Sequence, residues 1–170
     1  PDNKRICQEI VIPSANQGKA RNGQIVVAAI VEQPTTHSQA IGNVLEVLGD
    51  HMAPGMEMEI AIRSYELPHQ WSSAVLEEIG HYSAEISSAA TNGREDIRNL
   101  PLVTIDGDDS RDFDDAVYCE RNGHGWRLLV AIADVSSYVT PGTALDNEAK
   151  LRGNSVYFPQ NVIPMLPEIL

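Results

Sequence analysis

The sequence predicts a mixed fold: a small antiparallel β-barrel, a helical connector, and a second region of mixed α and β structure that does not close on itself. Three observations carry this expectation. Short apolar runs broken by Gly, Pro, Asn and Ser fill the first part, apolar positions at helical spacing follow, and strand-like and helix-like segments then alternate. A chain of 170 residues with 42% hydrophobic content can bury more than one small core. The expected division is residues 1–68 for the barrel, 69–100 for the connector and 101–170 for the third part.

In chain order, "QEIVIP", "GQIVVAAIVEQ" and "QAIGNVLEVLG" are β-rich runs in the rhythm of a small antiparallel barrel. The next segment, "GMEMEIAIRSYELP", is ambiguous. Met56, Met58, Ile60 and Ile62 alternate like a strand, while Met, Glu and Ala favour a helix; the helix is the preferred reading. "WSSAVLEEIGHYSAEISSAATNGRED" places Val75, Ile79, Tyr82 and Ile86 at helical spacing, with Ser72 or Ser73 as cap and Gly93 as stop. The third part is expected to run strand "LVTI", an acidic loop, strand "DAVYCER", turn "NGHG" and strand "WRLLVAIADV". A short helix around "ALDNEAKLRG", ended by Gly153, follows.

The formal net charge of −12 argues against a nucleic-acid binder, because phosphate contacts normally need a basic surface. Its distribution removes the objection. Residues 1–70 carry eight acids against five bases, residues 71–120 twelve against three, and residues 121–170 four against four. The excess is local, so the average says little about the remaining surface. Cys7 and Cys119 lie far apart with no CxxC pair, so free thiols in a reducing compartment are expected rather than zinc. No apolar run is long enough to cross a bilayer and no leader pattern opens the chain, which points to the cytoplasm. The chain opens at Pro1 without an initiator methionine and closes on "MLPEIL" without a cap or breaker. A piece of a longer protein is expected.

The most informative stretch is "VTIDGDDSRDFDDAV", with six aspartates in ten positions between apolar ends. A solvated acidic loop is the ordinary fate of such a run. The flanks "LVTI" and "AV" have the character of core strands, so the loop is expected to be anchored in buried structure, with Phe113 as its anchor. Carboxylates so close repel and raise one another's pKa unless a cation lies among them. With no His or Cys in the loop, hard-oxygen ligands favour Mg²⁺, Mn²⁺ or Ca²⁺ over zinc. A calcium EF-hand fits poorly: the sixth position from Asp106 is Arg111 rather than Gly, and the twelfth is Val117 rather than Glu. An irregular carboxylate cluster at a strand end suits Mg²⁺ held jointly by protein and substrate phosphates. Arg111 is expected to pair with a neighbouring aspartate; Trp126, Tyr138 and the "IPMLP" run are expected to pack.

The pattern D-x5-D-x-D-D at Asp106, Asp112, Asp114 and Asp115, together with "AIADVSSYV", "LRGNSVYFP" and "VIPMLPE", resembles the start of the catalytic (RNB) domain of the ribonuclease II family. The resemblance is specific over residues 102–170. It implies that the preceding β-rich part is a cold-shock, OB-type domain and that the third part is the beginning of an α+β catalytic domain. It implies a processive 3′→5′ exoribonuclease dependent on Mg²⁺, with Mn²⁺ as an alternative, releasing 5′-mononucleotides from single-stranded RNA. Asp106, Asp112, Asp114 and Asp115 are then the metal ligands, Asp106 and Asp115 on the more firmly held ion. Asp114 and Asp112 are the catalytic carboxylates, and Tyr157 stacks on a base near the RNA 3′ end. Asp108 and Asp109 match no essential position. No membrane partner is expected, and the parent is expected to be a monomer.

The family's downstream arginine motif, RNA channel and S1 domain are not in these residues, so the chain alone is expected to be inactive. Residues 1–64 contain no Phe, Tyr or Trp, and OB modules bind single strands through aromatic platforms. Weak RNA guidance through groups such as Lys19 and Arg21 is expected there. The alternative readings are a non-catalytic single-stranded RNA-binding module and an acidic calcium-binding or interaction domain.

Overall fold

The computed structural model describes residues 1–3 and 5–170. The chain divides into two compact units, Pro1–Leu67 and Pro68–Leu170.

The first unit is built on β1 (Ile10–Val11), β2 (Gln24–Glu32), β3 (Ala40–Asp50) and α1 (Met56–Ser64). β2 and β3 form a long antiparallel pair from Gln24↔Asp50 to Glu32↔Ile41, and the register shifts at three points along it. Such irregularities deepen the twist that a small barrel needs. β1 adds to the other edge of β3 in parallel, through two residue pairs. This departs from a wholly antiparallel pattern, and its cause lies in close approach. A Cβ on Gly42 would stand 2.7 Å from Ile12 and 2.8 Å from Ile10, so the bare backbone at Gly42 lets these side chains lie directly on β3. The "MEMEIAIRS" stretch is helical. Met56 and Ile62 bury one face of α1, Ala40 joins them in the core, and Arg63 ties the helix to β3 through Glu46 at 2.6 Å. The helix period therefore prevails over the strand-like alternation.

The second unit contains α2 (Ser73–Ile79), the hairpin β4 (Asp115–Asn122) and β5 (Gly125–Ile132), α3 (Ala144–Arg152), and the short hairpin β6 (Val156–Tyr157) and β7 (Val162–Ile163). Ser72 caps α2, its hydroxyl accepting from the Val75 N–H. The helix ends at Gly80 rather than continuing to Gly93. Tyr82, expected on that helix, instead donates its hydroxyl to the Tyr138 carbonyl at 3.0 Å and meets the Tyr138 ring edge to face at 5.6 Å. A tertiary pair thus overrides the helical spacing beyond Gly80. α2 packs on α3: Val75, Leu145 and Ala149 are buried, and Glu78 accepts the Leu145 N–H at 3.0 Å. Thr143 caps α3, and Gly153 ends it as expected.

β4 and β5 pair in unbroken antiparallel register from Asp115↔Ile132 to Asn122↔Gly125. The two-residue loop has Gly123 at φ +60°, the pattern of a type II′ hairpin turn. The expected strand "LVTI" is reduced to one bridge, Val103↔Val117. Pro101 has no N–H to give to a ladder, and the chain turns away into the acidic loop directly after Ile105. The expected packing of Trp126 in a core is also corrected. Trp126 is exposed and lies 5.0 Å beneath the Arg121 guanidinium.

Candidate active site

The acidic loop joins the Val103 bridge to β4. It turns at Asp108 and Asp109, where Ser110 N–H closes on the Gly107 carbonyl at 3.0 Å. It re-enters the sheet at Asp114, whose carbonyl accepts from Ala133 N–H at 2.7 Å and so extends the β4–β5 pairing by one step. The expectation that its apolar flanks are buried is corrected: Ile105 is 85% exposed and Phe113 58% exposed. No element among the described residues packs over them. The loop is held by polar contacts instead.

Asp112 is the centre of those contacts. Ser155 Oγ donates to Asp112 Oδ2 at 3.0 Å, and the Tyr157 hydroxyl donates to Asp112 Oδ1. Ser155 Oγ in turn accepts from Met165 N–H at 3.0 Å, and the Tyr157 oxygen accepts from Arg111 N–H at 3.3 Å. The Tyr157 hydroxyl is the main cause that holds the Asp112 carboxyl below its ordinary pKa, with Ser155 adding to it against desolvation. The same bond pushes the Tyr157 phenol up. Arg111 enters this network through its backbone; its guanidinium makes no ion pair with a neighbouring aspartate among the described residues, which corrects the expected pairing.

Asp106, Asp114 and Asp115 are exposed, as are Asp108 and Asp109. Among the described residues no three His, Cys, Asp or Glu side chains are gathered closely enough to hold a metal ion. Alternation along an extended backbone works against convergence of the neighbouring Asp114 and Asp115. The donor set still fits a hard divalent cation. It consists only of carboxylate oxygens, three of the four aspartates are free in solvent, and each Asp112 oxygen keeps a further lone pair beyond its hydroxyl partner. Sequence reasoning therefore placed Asp112 and Tyr157 separately, and the fold brings these two together. It missed Ser155, which lies 43 residues from its carboxylate partner and has no local pattern to mark it.

Comparison with known proteins agrees with this architecture. The cold shock domain model matches residues 1–72 and the RNB domain model residues 94–170. Ribonuclease R of Vibrio cholerae is 56% identical over 100% of this chain and 21% of its own length. The fold matches that of Mycoplasma genitalium RNase R in complex with double-stranded RNA, with a TM-score of 0.84 and 27% identity, over 98% of this chain and 30% of that one. It also matches that enzyme in complex with ribose methylated single-stranded RNA, with a TM-score of 0.84 and 27% identity, over 99% of this chain and 26% of that one. The chain spans about a fifth of the length of its Vibrio and Escherichia coli ribonuclease R relatives. With a cold shock domain leading into the start of an RNB domain, the chain belongs to the RNB family, the ribonuclease II family to which its aspartate pattern points.

Proposed function

We propose that this chain is part of a processive 3′→5′ exoribonuclease that hydrolyses single-stranded RNA to 5′-mononucleotides with Mg²⁺ or Mn²⁺. One observation supports this above the others: Tyr157, the aromatic expected to stack on a base, is hydrogen-bonded to Asp112 of the acidic loop. A base held on the Tyr157 ring would lie beside the carboxylates that handle its phosphate. That is the juxtaposition needed to cut one nucleotide from a 3′ end.

The roles divide accordingly. Asp106 and Asp115 would hold the more firmly bound ion. Asp114 would hold the second or orient the attacking water, and Asp112 would complete the carboxylate set. When bound, the divalent ions supply an activated water and neutralise charge developing on the phosphate and on the leaving 3′-oxygen. The protein's own work is to hold the Asp112 carboxylate with the Ser155 and Tyr157 hydroxyls, to seat the terminal base on Tyr157 and to fix the loop against the β6–β7 hairpin. The exposed Lys19 and Arg21 of the first unit would guide RNA weakly. The free, exposed cysteines accord with a cytoplasmic setting; no helix among the described residues is long and apolar enough to cross a membrane. The 170 residues alone would not turn RNA over, since they span only about a fifth of the length of these full-length relatives.

The test is a gel of 5′-labelled single-stranded RNA with Mg²⁺ and three proteins: this chain, the full-length parent, and the parent carrying Asp114→Asn. The expected result is stepwise shortening by the parent alone. An inactive parent, or an Asp114→Asn parent as active as the unaltered one, would overturn the proposal.

A further inference from the structure

We propose that the Ser155 and Tyr157 hydroxyls act as positioning groups that fix the Asp112 carboxylate and tether the acidic loop to the β6–β7 hairpin. In this role Tyr157 does more than offer a ring to a base. The inference deepens the exoribonuclease reading and rests on it for its consequence to turnover, though not for the tether itself.

The polarity of the contacts carries the argument. A hydroxyl has one proton to give. The Ser155 oxygen accepts from the Met165 N–H at 3.0 Å, and the Tyr157 oxygen accepts from the Arg111 N–H at 3.3 Å. Backbone amides can only donate, and an ionised carboxylate can only accept. Each hydroxyl proton is therefore directed to Asp112, one to each carboxylate oxygen. Two N–H to O–H to carboxylate relays run side by side, and each link polarises the next. One begins on the acidic loop itself and the other on the chain just after β7. Together they fix both the rotation of the Asp112 carboxylate and its distance from the hairpin. Phe113 and Ile105 leave the loop without buried apolar anchors; its ends are tied to the sheet by the Val103 bridge and the Asp114 carbonyl, and these relays hold the span between them against the hairpin.

The test uses the full-length parent protein and the variants Tyr157→Phe, Ser155→Ala, Ser155→Thr, Asp112→Asn and the double variant Tyr157→Phe/Asp112→Asn. Three quantities are read: RNA affinity in EDTA, the single-turnover rate with Mg²⁺, and hydrogen exchange of residues 106–114 in the metal-free protein. Phenylalanine keeps the stacking ring and removes only the hydroxyl. Tyr157→Phe is expected to bind RNA within about twofold of wild type and to react about tenfold or more slowly, as loss of a hydrogen bond to a charged group implies. Its 106–114 amides should exchange faster. Ser155→Ala should act in the same direction, Ser155→Thr should restore wild-type exchange, and adding Asp112→Asn to Tyr157→Phe should not multiply the losses. Wild-type rate and exchange in Tyr157→Phe, or a double variant whose loss is the product of the single losses, would overturn the inference. A wild-type parent that leaves RNA intact would instead remove the nuclease reading, with exchange alone then deciding the tether.

Discussion

Asp112, Asp134 and Asp146 each have their ionised form held by neighbouring donors, and each carboxyl lies below its ordinary pKa. For Asp112 the leading cause is the Tyr157 hydroxyl. For Asp134 it is the Ser137 hydroxyl, followed by the Arg94 guanidinium and Ser136; for Asp146 it is the Lys150 ammonium, followed by the Gly142 N–H. In the unfolded chain these groups return to a pKa of about 3.9. The unfolded state therefore takes up protons first as pH falls. The stability these contacts contribute is complete above about pH 5 and is lost as pH drops through the lowered folded values. A thermal melting series on the 170-residue chain from about pH 6 to about pH 2 should show the midpoint falling in its acid half, and Asp134→Asn should flatten that fall. A midpoint that holds or rises on acidification would contradict the assignment. The residue types in this network were legible in the sequence; their pairing was not. Asp112 and Tyr157 are 45 positions apart, and a contact across that distance follows from how α3 and the β6–β7 hairpin return the chain, which no local spacing encodes.

At the scale of elements, α3 depends on a single side chain at its end. Arg152 is only 2% exposed at its side chain. It donates to the Pro164 carbonyl and to the Gln70 carbonyl, each at 3.0 Å, and to Glu148 at 3.1 Å. Its guanidinium lies 3.5 Å over the Trp71 ring. The planar fork thus joins the segment before α2, α3 itself and the residues after β7 in one place. A lysine can neither reach three acceptors in a plane nor stack in the same way. Arg152→Ala leaves Glu148, itself only 12% exposed, without its ion partner, and should cost about 3–5 kcal/mol. Arg152→Lys should recover only part of that loss. Urea unfolding followed by tryptophan fluorescence measures both, and a midpoint unchanged in Arg152→Ala would show that the cluster is incidental. β2, β3, the β4–β5 hairpin and α3 were readable because alternation, turn glycine and cap agreed locally, whereas α1 was ambiguous, its strand-like alternation competing with the helix preference of Met, Glu and Ala. α2 was read too long because the apolar spacing continues past Gly80, where Tyr82 serves a tertiary pair instead. β6 and β7 are two residues each, too short for any period to show.

Across the whole chain, 42% hydrophobic content yields little full burial. Among the described residues the buried hydrophobic side chains are those of Ala40, Met56 and Ile62 in the first unit and Val75, Leu145 and Ala149 in the second. Much of the remaining apolar side-chain surface faces solvent, and one part of it is ordered into a face. Trp126, Leu128, Val130 and Ile132 occupy alternate positions of β5, so they share one side of the strand, and every one is more than half exposed. Across the hairpin, Leu128 faces Cys119 and Val130 faces Val117, which carries the apolar strip onto β4. Soluble monomers seldom expose a contiguous strip of this kind. The chain should therefore enhance the fluorescence of the anionic dye ANS in its folded state. Its net charge of −12 repels the dye, so a signal would report apolar surface rather than electrostatic attraction. Neutral changes keep that logic intact: Leu128→Gln with Val130→Thr should cut the enhancement by about half or more while far-UV circular dichroism stays unchanged, because threonine suits a strand and the two central apolar side chains of the strip are lost. If the wild-type chain gives no enhancement, or the double variant keeps all of it, the β5 face is covered in solution and the exposure seen along the hairpin does not persist there.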